Sequence, residues 1–120
     1  MGGQFPDPDP ALVERMDALL AAHGATRKRM FGTHSWFLDA NGQMFASVWG
    51  SDAVVRVGEA EATRMASAGE TQHFMPMPGR PPKKEYIVVP GDDTVEDDTL
   101  RPWLDRAAAF TAGLAPKKKK

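Results

Sequence analysis

The chain has 120 residues, of which 42% are hydrophobic and 26% charged, with a formal net charge of −1 and no cysteine. A chain of this length fits one domain, and its core is large enough to fold without disulfides or a structural metal. The lack of cysteine excludes disulfides, thiolate nucleophiles, redox pairs and every zinc site that uses sulfur.

The N-terminal segment, residues 1–8, is rich in glycine and proline, and we expect it to be disordered. It has neither the basic region nor the apolar region of a secretion signal. No apolar run in the chain approaches the ~20 residues that a membrane-spanning helix needs. We therefore expect a cytoplasmic protein without a membrane partner.

The segment 9–24 predicts the first helix. Asp9 and Pro10 have the chemistry of an N-cap followed by the first helical position. Gly24 is placed to end the helix. The apolar residues between them recur at helical spacing and form one stripe: Leu12, Val13, Met16, Leu19 and Leu20.

Three short extended segments follow, Thr33–Asp39, Gln43–Trp49 and Ala53–Val57, and they predict an antiparallel meander. Between the first two, Asn41 and Gly42 predict a two-residue type I′ turn, which the twist of paired strands favours. In the second strand, alternation assigns one face to Met44, Ala46 and Val48 and the other to Phe45, Ser47 and Trp49.

The second half of the chain predicts one more helix, two more strands and a last helix. Glu59–Ala68 is rich in alanine and acidic in its first turn, as a helix requires. Gln72–Met75 predicts a short edge strand, and Lys84–Val89 predicts a longer strand. The last helix begins near Asp98 or Thr99, and its apolar stripe consists of Leu100, Trp103, Leu104, Ala107, Thr111 and Leu114.

The predicted order is therefore helix, three strands, helix, two strands, helix. The simplest arrangement for this order is an α+β fold of two layers, with helices packed on one face of an antiparallel sheet. We expect one domain over residues 9–115, followed by a disordered lysine tail at 116–120.

The charged residues are segregated along the chain. Removing Lys117–Lys120 from the 15 basic residues leaves 11 against 16 acidic residues, so the body has a net charge of −5. An acidic body argues against a dedicated binder of duplex DNA. Two short basic segments, the first at the entrance of the first hairpin, form the candidate partner-binding surface: Arg27, Lys28 and Arg29 with Arg80, Lys83 and Lys84.

No catalytic motif is visible in the sequence. It lacks a glycine-rich phosphate loop, a Gly-x-Ser-x-Gly elbow and a His-Glu-x-x-His zinc site. His23, His34 and His73 lie in different predicted elements, at spacings that match no metal motif. The acids between Asp92 and Asp98 complement the N-terminus of the last helix. We therefore expect no enzymatic activity, no catalytic residue, no metal site and no cofactor.

Three segments occur in a characteristic order: Arg29-Met30-Phe31-Gly32, then Asn41-Gly42-Gln43-Met44-Phe45-Ala46, then Gly79–Pro90 followed by Leu100-Arg101-Pro102-Trp103. Together they resemble the TfoX/Sxy family, specifically its N-terminal domain, over Leu12 to Leu114. The resemblance implies an α+β domain with an antiparallel sheet packed by helices. It also implies these residues as fold determinants: Met30, Phe31, Gly32, Gly42, Phe45, Tyr86, Pro90 and Trp103.

The same resemblance implies regulators of natural competence that act together with a transcription activator. Family members with that role have a second, C-terminal helical domain, which this sequence lacks, so we expect a stand-alone, single-domain member. Our leading hypothesis is a small regulatory or adaptor domain that binds another protein, with a transcription-related protein as the expected partner.

Two alternatives stay open. The first is weak electrostatic binding of nucleic acid through the same six basic residues and the lysine tail. The second is an enzyme or small-molecule binder with a pocket beside Trp36, Trp49 or Trp103. The oligomeric state is open as well.

Overall fold

The computed structural model describes residues 7–30, 33–74 and 83–115. Its elements, in chain order, are α1 (Pro10–Ala21), β1 (Ala25–Met30), β2 (Thr33–Leu38), β3 (Met44–Trp49), β4 (Asp52–Arg56), α2 (Glu59–Ser67), β5 (His73–Phe74), β6 (Lys83–Val89), α3 (Gly91–Thr94) and α4 (Asp97–Ala112). The strands form one antiparallel sheet in the order β1-β2-β3-β4-β6-β5. The predicted α+β class and the order of its helices and strands are confirmed. The structure adds β1 before the predicted meander and the one-turn α3 before the last helix.

Several sequence-based expectations lie outside the described residues. These are the disorder expected of residues 1–6 and of the tail at 116–120, the role of Arg80 in the candidate surface, and the roles of Phe31 and Gly32 as fold determinants.

The first helix begins where its capping residues predict. The Asp9 carboxylate accepts a hydrogen bond from Ala11 N–H at 3.0 Å, and Pro10 occupies the first turn. Since Asp9 satisfies a donor that the helix itself leaves free, the start of α1 is fixed locally. The side chains that α1 buries belong to the predicted stripe: Leu12, Val13, Met16 and Leu20.

The core lies between the sheet and the helices. Buried side chains of α1, α2 and α4 form one cluster with core-facing side chains of β2, β3, β4 and β6. Trp36 on β2 and Ile87 on β6 are fully buried within it. Phe37 and Val54 are also buried but do not belong to this cluster. All three longer helices therefore pack on one face, which gives the predicted two layers.

A register shift between β2 and β3 changes the predicted face of one aromatic residue. Trp36 pairs with Ala46, but the next residue, Phe37, pairs with Met44, so Phe45 is the extra residue of a β-bulge. Phe45 is fully buried in the same cluster as Ala46. The assignment of Phe45 to the face opposite Ala46 is therefore wrong, because the bulge interrupts the alternation on which it depended.

The β2–β3 turn is also longer than predicted. Leu38 N–H donates to Gln43 O at 2.9 Å and Gly42 N–H donates to Leu38 O at 2.7 Å, so four residues close the hairpin rather than two. Gly42 has φ +70°, which glycine adopts without strain. The buried side chain of Asn41 donates to Thr111 O at 2.8 Å. Asn41 thus satisfies a carbonyl that the C-terminal end of α4 leaves without an intrahelical partner. A two-residue turn does not depend on such a contact.

Gly58 lies between β4 and α2 in a conformation that is nearly exclusive to glycine, with φ +97° and ψ 152°. A Cβ added at Gly58 would lie 2.6 Å from Cε1 of Phe110 on α4. We expect Gly58→Ala to lower the free energy of unfolding by about 3 kcal/mol, from backbone strain and overpacking together.

Gly69→Ala is the matched control. Gly69 also has a positive φ, +77°, but no heavy atom lies within 4 Å of a Cβ added there. Gly69→Ala should lower the free energy of unfolding by only about 1 kcal/mol, and urea unfolding of both variants and the wild type measures the two changes. Equal losses for the two variants would show that neither the close contact with Phe110 nor the backbone conformation of Gly58 adds to the cost.

Candidate functional site: the basic edge strand

The first predicted basic segment forms the middle of β1, at one edge of the sheet. The strand pairs with β2 over its whole length, from Ala25 opposite Leu38 to Met30 opposite Thr33. No described strand pairs with the other side of β1. The side chains of Arg27, Lys28 and Arg29 are exposed. We call these three residues the basic edge.

Hydrogen bonds on the two sides of β2 establish which way its backbone groups point. On the β1 side, Asp39 N–H donates to Gly24 O at 2.8 Å. On the β3 side, Leu38 N–H donates to Gln43 O at 2.9 Å. Since adjacent residues of a strand direct their N–H groups to opposite sides, these two bonds define the hydrogen-bonded pairs of the β1–β2 ladder.

The same alternation fixes the backbone of β1. Hydrogen-bonded pairs recur at every second residue of an antiparallel ladder. Since Gly24 lies in one such pair, Thr26 and Lys28 also lie in hydrogen-bonded pairs with β2. The N–H and C=O groups of Ala25, Arg27 and Arg29 consequently point away from the sheet. No described residue accepts a hydrogen bond from these outward N–H groups or donates one to these outward C=O groups.

The side chains of the basic edge divide between the two faces of the sheet. Arg27 and Arg29 lie opposite Trp36 and His34, on the face that the helices cover. Lys28 projects to the other face, where its Nζ lies 5.1 Å from the centre of the Phe37 ring. This cation–π contact holds the lysine stem against an aromatic surface while the ammonium stays accessible.

Asp17 of α1 connects Arg27 to the core. One oxygen of its carboxylate accepts a hydrogen bond from Trp36 Nε1 at 3.0 Å. The other lies 3.4 Å from Arg27 Nη1, with 38% of the arginine side chain and 49% of the aspartate side chain exposed. An ion pair this exposed contributes at most about 1 kcal/mol. Arg27 can therefore exchange Asp17 for another carboxylate at little cost.

His34 lies beside the two arginines on β2. Burial first, and then the charges of Arg27 and Arg29, lower its pKa below the ordinary value for histidine, while Asp17 opposes the shift. The unfolded chain binds this proton more readily than the folded chain. Acidification below the ordinary histidine pKa therefore favours unfolding.

The second predicted basic segment is in a different place. Lys84 is exposed on β6. Lys83 is the first residue of that strand, but the structure does not describe its side chain, and Arg80 lies outside the described residues. Strands β2, β3 and β4 separate β1 from β6. Four strand spacings amount to about 19 Å, so the sheet does not bring Lys84 next to the basic edge.

The three tryptophans have partners within the fold. Trp36 is completely buried, so it lines no solvent-accessible cleft. Trp49 packs edge-on against Phe74, with ring centres 5.0 Å apart. Trp103 lies under the guanidinium of Arg106, at 5.6 Å. No group of three or more His, Asp or Glu side chains within the described ranges could hold a metal ion.

Sequence reasoning missed a polar cluster around Arg56, at the end of β4. Its guanidinium donates to Glu85 Oε1 at 2.7 Å, to Gln43 Oε1 at 3.2 Å and to Met44 O at 3.1 Å. Tyr86 OH donates to the same Met44 oxygen at 3.2 Å, and burial raises the pKa of this tyrosine. These bonds join β3, β4 and β6, so the cluster stabilises the sheet. Its only signal in the sequence was one arginine within an apolar strand.

Comparison with protein-family models identifies a family for this chain. A family model described as the TfoX N-terminal domain matches residues 17–111, from the middle of α1 to the last turn of α4. The matched range includes every strand of the described sheet and the whole basic edge. No curated protein matches the chain. No helix within the described ranges is long and apolar enough to cross a membrane.

The proximity of the basic edge to His34 can be tested in solution. Arg29→Gln removes a positive charge that disfavours protonation, so the pKa of His34 should rise toward its ordinary value. Lys84→Gln removes the same charge on β6 and should leave that pKa unchanged. An NMR pH titration of the imidazole nitrogens measures both effects. An unaltered His34 titration in Arg29→Gln would contradict the described geometry.

Proposed function

This chain belongs to the TfoX N-terminal domain family, and on that premise we propose that it is a small regulatory or adaptor domain that acts by binding another macromolecule. The family resemblance implies regulators that act with a transcription activator. The observation that supports a binding role here is the basic edge, which combines three exposed cations with unpaired backbone groups within the described structure.

The charge distribution favours an acidic partner. The body of the chain has a net negative charge, so the basic edge is a local concentration of positive charge on an acidic protein. Complementary local charge increases the rate of encounter and orients the partner, even where each ion pair adds little affinity. We propose an acidic segment of another protein as the ligand, with Arg27, Lys28 and Arg29 as its contacts.

Arg80, Lys83 and Lys84 are proposed as a second contact region. Because three strands lie between β1 and the strand that carries Lys84, a short ligand cannot bind both regions at once. A larger partner could bind them together, and in that case each region would contribute separately. The two regions therefore need separate variants.

Nucleic-acid binding is the alternative that the same cations support. Phosphate contacts release counterions, so three contacts would give a weak affinity that falls steeply with salt and has no sequence preference. A titration of labelled duplex and single-stranded DNA at low salt tests it. Absence of binding under those conditions eliminates this alternative.

The proposal predicts that the basic edge is needed for partner capture. The triple variant Arg27→Gln, Lys28→Gln, Arg29→Gln should retain less than about a tenth of the partner protein that the wild type retains from a nuclease-treated lysate of the native host, because three charge-assisted contacts are lost. Quantitative mass spectrometry of the bound fraction measures the loss.

The matched control removes the same charge elsewhere. Arg64, Arg101 and Arg106 are more exposed than Arg27, with 55%, 50% and 51% of their side chains accessible against 38%, and lie on α2 and α4. Replacing these three with glutamine should leave capture unchanged. Equal capture by the basic-edge variant and the wild type would refute the proposed surface, and Lys84→Gln tests the second region.

A further inference from the structure

The two edges of the sheet differ in what they offer to another chain. At one edge the described part of β5 has two residues, His73–Phe74. At the other, β1 has six residues and is paired with β2 throughout. The outward N–H and C=O groups of Ala25, Arg27 and Arg29 form a regular row of donors and acceptors along β1. Such a row is a template for an additional strand.

We propose that β1 binds the acidic partner by strand addition: an extended segment of the partner pairs antiparallel with β1 as a further strand of the sheet. This inference rests on the proposed function and adds the mode of binding and the pattern of the ligand. The backbone of the segment would pair with the outward groups of β1, and its acidic side chains would meet the basic edge. Antiparallel pairing matches every pair in the described sheet.

The geometry of β1 specifies the spacing of the acidic residues. Arg27 and Arg29 point to the same face, two residues apart, and both direct their backbone groups outward. In an antiparallel pair the side chains of directly opposed residues lie on one face, close enough for ion pairs. The ligand should therefore have acidic residues at alternate positions. A residue between them would lie on the face of Lys28.

A second copy of this chain is the less suitable occupant. In the two registers that pair most of one β1 strand with another through their outward groups, Arg27 would lie opposite itself or opposite Arg29. Like charges directly opposite one another destabilise a strand pair. The same three cations that favour an acidic ligand thus oppose self-association.

Arg27 does not have to lose a strong interaction to bind such a ligand. Its contact with Asp17 is long, at 3.4 Å, and both side chains are substantially exposed. Asp17 would keep its hydrogen bond from Trp36 Nε1 after the exchange. The core beneath β1 is therefore unchanged when the ligand binds, and only surface contacts are replaced.

Capped peptides of defined pattern test strand addition directly. The probe has the sequence Ser-Thr-Glu-Thr-Glu-Thr-Ser, and the control has the same composition with its two glutamates adjacent. Only the probe places both carboxylates on the face of Arg27 and Arg29. Fluorescence anisotropy with the Lys28→Gln variant, in which the second glutamate of the control meets no cation on its face, should show about threefold tighter binding of the probe, the effect of one cross-strand ion pair.

N-methylation of the probe separates strand addition from simple charge attraction. The N–H groups of the two glutamates would point at β1, and that of the threonine between them would point to solvent. N-methylation of one glutamate should weaken binding about tenfold, through loss of a hydrogen bond and steric conflict with the edge. N-methylation of the central threonine should leave the affinity within about twofold, since its N–H has no partner in the pair.

A pair of variants tests the protein side. Arg29→Gln removes the charge alone. Arg29→Pro also removes an outward N–H, which β1–β2 pairing does not use, and proline at a sheet edge blocks strand addition. Arg29→Pro should bind the probe about tenfold more weakly than Arg29→Gln does. Circular dichroism checks that both variants are folded, and if Arg29→Pro is not, the N-methylated peptides decide the question.

The outcomes separate this inference from the proposed function. The probe, the control and the two N-methylated probes could bind with equal affinity, and this binding could be lost only in the Gln triple variant. That result would overturn strand addition but would still support electrostatic binding at the basic edge. No binding of any peptide would overturn strand addition, while partner capture from lysate would still test the proposed surface. Weakening by glutamate methylation but not by threonine methylation would support strand addition.

Discussion

The pairing of β1 with β2 is the interaction on which the proposed binding surface depends. It puts Arg27 and Arg29 on the helix-covered face, next to Asp17 and His34, and directs their backbone groups out of the sheet. A register shift of one residue would reverse both properties, because side-chain direction and hydrogen-bonding direction alternate together along a strand. The hairpin is thus a structural element and also the determinant of what the edge can bind.

An edge strand with free hydrogen-bonding groups is a liability, and charge is one of the ways in which proteins control it. The basic edge has three consecutive cations, which disfavour pairing with a second copy of the same strand. The same charges do not hinder an acidic strand. The three positive charges therefore protect the edge from self-association and also favour an acidic ligand. The two effects have the same physical cause and do not oppose each other.

The sequence predicted best the elements that local chemistry determines. The Asp9 cap and the Pro10 start of α1 depend on neighbouring residues, and the structure has both. Strand β1 was missed because its three consecutive charges hide any alternation, and only pairing with β2 makes it a strand. Phe45 was misassigned because a bulge depends on the partner strand. The longer turn at Asn41 depends on α4, which is distant in the sequence.

The same contrast between local sequence and contacts distant in the sequence applies to the candidate site. Charge clustering identified Arg27, Lys28 and Arg29, but nothing local shows that the sheet separates them from Lys84 or that Asp17 lies beside Arg27. The contacts of Arg56 with Glu85 and Gln43 likewise require the strand order. Side-chain chemistry was therefore predictable, whereas juxtaposition across the sheet was not.

Amide hydrogen exchange along β1 in the free protein measures most directly whether this edge is open. Protection should alternate: the amides of Thr26 and Lys28 should exchange slowly, because they donate to β2, and those of Arg27 and Arg29 should exchange rapidly, because they point outward. Slow exchange at Arg27 and Arg29 would show that the edge is already covered. Equally rapid exchange at all four positions would show that β1 is not a stable strand, and either result would contradict the proposed binding surface.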